Sequence, residues 1–117
     1  MPIVLNLEQR PTYWCLSVAG ELGYGECSEF RLHVHHVLMA RPRGAMVDLS
    51  GIEYVDSSGL GILVAMEREY AEVGGRLVIV TNATVDGLLA ISRLNRVFRT
   101  AATVEEAVRV LESDDDY

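Results

Sequence analysis

The sequence predicts a single α/β domain: one mixed sheet of four to five strands, opened by an N-terminal hairpin and faced by about four helices. Three features carry this reading. Apolar and polar residues alternate at the start of the chain. Two later apolar runs are short, of the kind buried on both faces of a parallel sheet. Stretches of helical length, with their own start and stop signals, separate and follow those runs. At 117 residues the chain has room for one core, enough to take roughly two thirds of its unfolded surface out of water.

The elements follow in order. Ile3, Leu5 and Leu7 alternate with Val4, Asn6 and Glu8, the period of a half-buried strand. Trp14, Leu16 and Val18 resume that pattern after a break around Pro11, so the two strands pair as a hairpin. Beyond Gly20 the period changes, and Cys27, Phe30, Val34, Val37 and Leu38 fall on one helical stripe that ends before Pro42 and Gly44. Ala45 to Leu49 form a buried strand ending near Leu49, and a short loop follows; Asp48 within the strand reads as a hydrogen-bonded structural carboxylate. A helix runs from Ser57 to Val73, stopped by Gly74-Gly75, one of which takes the left-handed position after the last turn. Leu77 to Val80 form the next buried strand. Val85, Leu88 and Leu89 mark a helix with Thr84 as its N-cap, and Val97-Phe98 a short edge strand. Thr103 with Glu106 three residues on is a capping box, opening a helix whose apolar stripe is Val104, Ala107, Val108 and Leu111. The later strands are parallel because helices cross over between them. Residues 1–112 are expected to make one domain and residues 113–117 an acidic, mobile tail.

Composition narrows the function. The net charge is −7, and −4 without Asp114-Asp115-Asp116, which argues against nucleic acid as a partner because phosphate neutralisation needs a basic stripe. All ten basic residues are arginine, which excludes a phosphate-loop lysine, Schiff-base chemistry and a lysine general base. Cys15 and Cys27 lack CxxC spacing and read as reduced, partly buried thiols. His33 and His36 share a helix face but have no third ligand, so no metal site and no cofactor is expected. No Gly-x-Ser-x-Gly elbow supports a serine hydrolase. Glu67, Glu69 and Glu72 with Arg68 and Arg76 read as a wet helix side, and Arg93, Arg96 and Arg99 as a solvated cationic set. No apolar run is long enough to span a bilayer and no leader opens the chain, so a cytoplasmic protein without membrane insertion is expected.

One segment carries chemistry: Val47-Asp48-Leu49-Ser50, then Asp56-Ser57-Ser58-Gly59-Leu60-Gly61. It places Asp56 and Ser57 outside the carboxyl end of a strand, where open α/β sheets present their ligands. Ser57 could be no more than an N-cap and Asp56 no more than an Asx turn. Gly59 and Gly61, however, leave the first turn bare for a close approach, and residues 59–66 are apolar on every side, so Leu60 or its neighbours should sit exposed beside Ser57. An apolar patch next to a phosphorylatable hydroxyl suits a switchable dock.

From about residue 3 to residue 111 the chain resembles the STAS domains (sulphate transporter and anti-sigma factor antagonist), specifically the stand-alone anti-sigma factor antagonists of bacteria. The segment above is the most specific part of the likeness. Gly20-Glu21-Leu22, Gly74-Gly75-Arg76-Leu77 and Leu94-Asn95-Arg96-Val97-Phe98 support it. The resemblance implies the STAS fold and a non-enzymatic protein that binds an anti-sigma factor, itself a serine kinase, and so frees the sigma factor. It implies phosphorylation of Ser57, with Ser58 the competing acceptor, release of the partner, and reset by a serine phosphatase. Gly23, Tyr24, Asp56, Ser57, Ser58, Gly59, Leu60 and Asn82 are the implied partner contacts. Gly23-Tyr24-Gly25 stand where the family usually has an aspartate and polar residues, and Thr81-Asn82-Ala83 where a proline often follows. An alternative is an adaptor subunit of a lipid-transport or stressosome-like complex; a homodimer is compatible with either.

Overall fold

A computed structural model describes residues 3–113. Five strands form one sheet in the order β1-β2-β3-β4-β5: Val4–Gln9, Trp14–Leu22, Gly44–Val55, Arg76–Val80 and Arg99–Ala101. β1 is antiparallel to β2 as the hairpin periodicity requires, and every later pair is parallel. Four helices connect or follow the strands: α1 Cys27–Ala40, α2 Ser57–Val73, α3 Ala83–Ile91 and α4 Val104–Leu111. The architecture is the α/β mixed sheet that the sequence predicts.

Alternation along the strands divides the interior in two. Leu77 and Ile79 of β4, with Leu16, Val18, Ala45, Val47 and Leu49, pack against Phe30 and Val34 of α1, Leu63 and Met66 of α2, and Val85 and Leu89 of α3. Val78 and Val80, with Cys15, Met46 and Ala101, face Ala107 and Leu111 of α4 on the other side. Both faces of β3 and β4 are covered, which explains their unbroken apolar runs. Both thiols are free and buried, and burial raises the pKa of each. Asp48 accepts a hydrogen bond from the Ser50 amide at 3.0 Å.

Four expectations are corrected. β3 does not end near Leu49 but runs on to Val55, because β2 stays paired with it through Leu22↔Val55. Register shifts between Ser17 and Ala19 and between Gly20 and Glu21 space the inward residues as Leu49, Ile52 and Val55, so strict alternation is lost. The edge strand is Arg99–Ala101 rather than Val97-Phe98. Phe98 is a buried plug just before the strand, and pairing with Val78, Ile79 and Val80 is made by backbone. The N-cap of α3 is Asn82, whose Oδ1 accepts from the Val85 amide at 2.9 Å; Thr84 lies inside the helix. At α4, Thr103 Oγ1 accepts from the Glu106 amide at 3.1 Å, but Glu106 reaches the Ala102 amide, one residue before the cap, at 3.3 Å. Gly74 (φ 72°) is the left-handed glycine after α2. Of the expected acidic tail, residues 114–117 lie outside the described residues, while Ser113 is half-buried and its carbonyl accepts a hydrogen bond from the Arg76 guanidinium.

Tyr70 closes the end of α2, donating its hydroxyl to the Pro42 carbonyl at 3.3 Å, and burial pushes its pKa up to about 12. The unfolded chain ionises this phenol near pH 10, so its contribution is intact below that pH and is lost as pH rises through 12. Urea denaturation at pH 9 and pH 12 should show the native chain losing about 2 kcal/mol more than Tyr70→Phe over this interval. Parallel losses in the two proteins would show that Tyr70 is not responsible.

Candidate functional site

β3 outlasts β4, whose last residue, Val80, pairs with Asp48. Residues 49–55 therefore continue as a two-stranded ribbon with β2, and this ribbon lifts the start of α2 beyond the rest of the sheet. Its tip is closed by the Asp56 amide donating to the Leu22 carbonyl at 3.2 Å. The exposed flank of the ribbon is held by Asn82, whose Nδ2 donates to the Ser50 and Ile52 carbonyls at 3.1 and 2.8 Å. With its oxygen capping α3, the Asn82 amide is engaged at both ends by the chain itself.

Asp56, not Ser57, is the N-cap of α2. Its Oδ1 accepts from the Ser58 amide at 3.0 Å and the Gly59 amide at 3.2 Å. These are the free donors of a first turn, and a carboxylate there also suits the positive end of the helix dipole. The consequence for Ser57 is decisive: as the first helical residue it is relieved of capping, and it is exposed. Ser58 is half-buried.

Gly59 and Leu60 do not form the expected surface. Both are buried, Leu60 being 8% exposed. A Cβ on Gly59 would lie 2.9 Å from Leu22 Cγ and 3.1 Å from Val55 Cγ1, so this glycine lets α2 press onto the strand ends. The outer face of α2 is instead made of small residues, Gly61 and Ala65, below Ser57. A groove lies on either side. One, between α1 and α2, is lined by Arg31, Val34, His35, Leu38, Ser57, Ser58 and Ile62 among others. The other, running toward the segment after α3, is lined by Ser57, Leu60, Val64, Arg68, Ser92 and Leu94 among others. Ser57 borders both.

The loop after β2 completes the tip as a 3₁₀ turn, Tyr24–Glu26. Gly23 donates its amide to Glu26 Oε1 at 3.1 Å, and its carbonyl accepts from the Cys27 thiol at 3.2 Å. A Cβ on Gly23 would sit 3.9 Å from the Tyr54 ring and 4.0 Å from Asp56 Oδ2, so this loop adjoins the site. Tyr24 is 83% exposed and Tyr54 50% exposed. Tyr54 and Arg31 were not legible as site residues. Tyr54 would have been found from the outward positions of β3 had its full length been recognised, whereas no local signal marks Arg31. The tip thus brings together Gly23, Asp56, Ser57 and Ser58, while Asn82 stands lower on the ribbon.

His35 lines the groove between α1 and α2, and the other two histidines are engaged elsewhere. His33 Nδ1 lies 2.9 Å from the Glu29 carbonyl, and His36 meets the Trp14 ring edge-on, centroids 5.8 Å apart. Among the described residues no group of three His, Cys, Asp or Glu side chains could hold a metal, and no helix is long and apolar enough to cross a membrane.

A family model described as "Mlab, STAS domain" matches residues 6–105. The chain belongs to the STAS domain family. This STAS domain is 34% identical over 61 residues to a Thermotoga neapolitana protein provisionally named an anti-sigma factor antagonist, a TM1081 homolog; the match covers 51% of this chain. The chain spans about half the length of that curated relative, 54% of it. Among solved structures it superposes on an anti-sigma factor antagonist from Mycobacterium paratuberculosis with a TM-score of 0.84 and 23% identity, over 96% of either chain. It also superposes on the Bacillus cell fate determinant SpoIIAA in its phosphorylated form, with a TM-score of 0.72 and 21% identity, over 93% of this chain and 100% of that one. At these identities the superpositions establish the STAS fold.

Three substitutions separate the roles at the start of this STAS domain's α2. Asp56→Ala should cost about 1–2 kcal/mol by stripping the cap. Gly59→Ala should cost about 1–3 kcal/mol by overpacking Leu22 and Val55. Gly61→Ala, where a Cβ meets nothing within 4 Å, should be neutral or stabilise by up to ~1 kcal/mol. Denaturant midpoints give the ordering. Equal behaviour of the two glycine variants would contradict the close approach at Gly59.

Proposed function

We propose that this STAS domain is an anti-sigma factor antagonist, a regulatory protein rather than a catalyst, gated by phosphorylation of Ser57. In its unphosphorylated form it docks, through the tip and the small-residue face of α2, onto an anti-sigma factor that is also a serine kinase. That docking frees the sigma factor. The kinase then transfers the γ-phosphoryl group of ATP to Ser57, the complex separates, and a serine phosphatase restores the hydroxyl. These events belong to the cytoplasm, where the kinase and its ATP are.

The observation that carries this reading is the release of Ser57 from capping. Asp56 satisfies the first-turn amides, leaving the Ser57 hydroxyl exposed on a ridge between two grooves. A kinase can reach it, and a partner seated on the ridge would cover it. The phosphoryl group adds about −1.5 to −2 charges at pH 7. In the free chain water and the helix dipole accept that charge. Under a docked partner the same group must be desolvated beside the Asp56 carboxylate. A population shift from 1:99 to 99:1 needs only about 5.5 kcal/mol of differential binding, so no refolding is required. The relatives named for anti-sigma antagonism, and the phosphorylated form of SpoIIAA, support the same direction. Gly23, Tyr24, Ser58 and Asn82 complete the proposed contact set with Asp56, Ser57, Gly59 and Leu60. Of these, Gly59 and Leu60 shape the tip from inside, and Asn82 clamps the ribbon beneath it.

Incubation with candidate anti-sigma kinases and ATP, followed by intact-mass measurement, should show one added phosphoryl group, mapped to Ser57 and absent from Ser57→Ala. In titrations Ser57→Ala should hold the kinase as the native chain does, while Ser57→Asp and Ser57→Glu bind at least tenfold more weakly. Equal affinity of all three variants overturns the switch. Capture by a transport or stressosome-like assembly with no gain of mass would favour the adaptor role instead.

A further inference from the structure

α1 and α2 follow the parallel strands β2 and β3, so both begin at the same pole and run away from it side by side. Arg31 lies one turn into α1, at i+4 from Cys27; Gly61 lies one turn into α2, at i+4 from Ser57. Helical side chains lean toward the N-terminus of their helix. Arg31 therefore reaches back toward the tip, and its long side chain matches the rise of one turn, about 5.4 Å. Arg31, Ser57 and Ser58 line the same groove, and Gly61, also on its wall, puts no side chain between them.

Resting on the phosphoserine reading above, we propose that Arg31 is the built-in counter-ion of phosphoserine 57, drawing the phosphate into the groove between α1 and α2. Among the described residues Arg31 makes no ion pair, so its guanidinium is free to form paired hydrogen bonds to phosphate oxygens. The Cys27 thiol feels both Asp56, which raises its pKa, and Arg31, which lowers it, so the two helix starts share one electrostatic environment. The second groove also has a cation, Arg68, but it stands eleven residues along α2, about 16 Å from Ser57 along the axis. That distance is beyond its reach. His35, a further turn along the first groove, Asp56 at the cap, Glu26 in the neighbouring 3₁₀ turn and the Cys27 thiol at the start of α1 are the other charged or titratable groups around the site. The phosphate so placed does two things. It carries charge, and it fills the groove that would otherwise receive the partner.

The test needs neither kinase nor partner. Phosphoserine is installed at position 57 of the full chain by genetic code expansion, and its second ionisation is followed by phosphorus NMR. Replacing Arg31 by Ala should raise that pKa by about half a unit or more, and Arg31→Lys should recover part of the difference. Arg68→Ala and His35→Gln should leave it within about a tenth of a unit, and molar salt should shrink the Arg31 effect. Superimposable titrations of the native chain and Arg31→Ala overturn the proposal. So does an Arg31-dependent shift with phosphoserine at 58 but none at 57. Because the phosphate is installed synthetically, absence of a cognate kinase would count against the proposed function and leave this result unaffected.

Discussion

The first turn of α2 lies closer to the ends of β2 and β3 than a side chain would allow, and the arrangement of the tip depends on that contact. Gly59 presents a bare Cα to Leu22 and Val55, and the Asp56 amide is bonded to the Leu22 carbonyl. With the helix start fixed against both strands, Asp56 is fixed as well, and its carboxylate lands on the Ser58 and Gly59 amides. Packing thus decides which residue caps. Once the aspartate caps, the serine after it has no structural task, and its hydroxyl is left at the surface. The proposed modification of Ser57 draws on this combination of a rigid base and an idle side chain.

The same contact accounts for what the sequence could and could not disclose. The hairpin, the stripe of α1, the buried runs of β3 and β4 and the glycine stop after α2 were legible because each follows from local periodicity or from backbone sterics at one residue. The overhang of β3 was not. Its inward residues Leu49, Ile52 and Val55 are three apart because of bulges in the pairing with β2, and a bulge is a property of two strands, invisible in one. Losing the overhang also hid Tyr54, which lies on it. Leu60 was misplaced for a related reason. An all-apolar helix does not announce which stripe faces inward, and here the sheet takes Leu60, Leu63 and Met66, leaving Gly61 and Ala65 outside. Asn82 shows a third limit: one side chain both caps α3 and clamps the ribbon, and only the cap is local enough to be sought in sequence.

Gly61 bears on why the outer face is proposed as a dock rather than ordinary surface. A glycine inside a helix costs roughly 0.5–1 kcal/mol relative to alanine. At Gly59 that cost is offset by packing that no larger residue permits. At Gly61 nothing lies within 4 Å of where a Cβ would be, so the folded chain draws no packing benefit from its absence. A bare position one turn below an exposed serine, bordering both grooves, is of use chiefly to something outside the chain, or to a group added to it.

That last alternative joins the two grooves to one economy of design. If the phosphate lay on the ridge in water, charge alone would have to expel a partner, and exposed charges are screened within about 8 Å at physiological salt. A phosphate drawn toward Arg31 occupies volume where the partner's side chains would sit, and volume is not screened. The guanidinium also lowers the cost of holding a dianion near the Asp56 carboxylate. Hydroxyl and phosphate states could therefore differ in the shape of the docking face as well as in its charge, while the backbone beneath, pinned by Gly59 and Leu22, stays where it is.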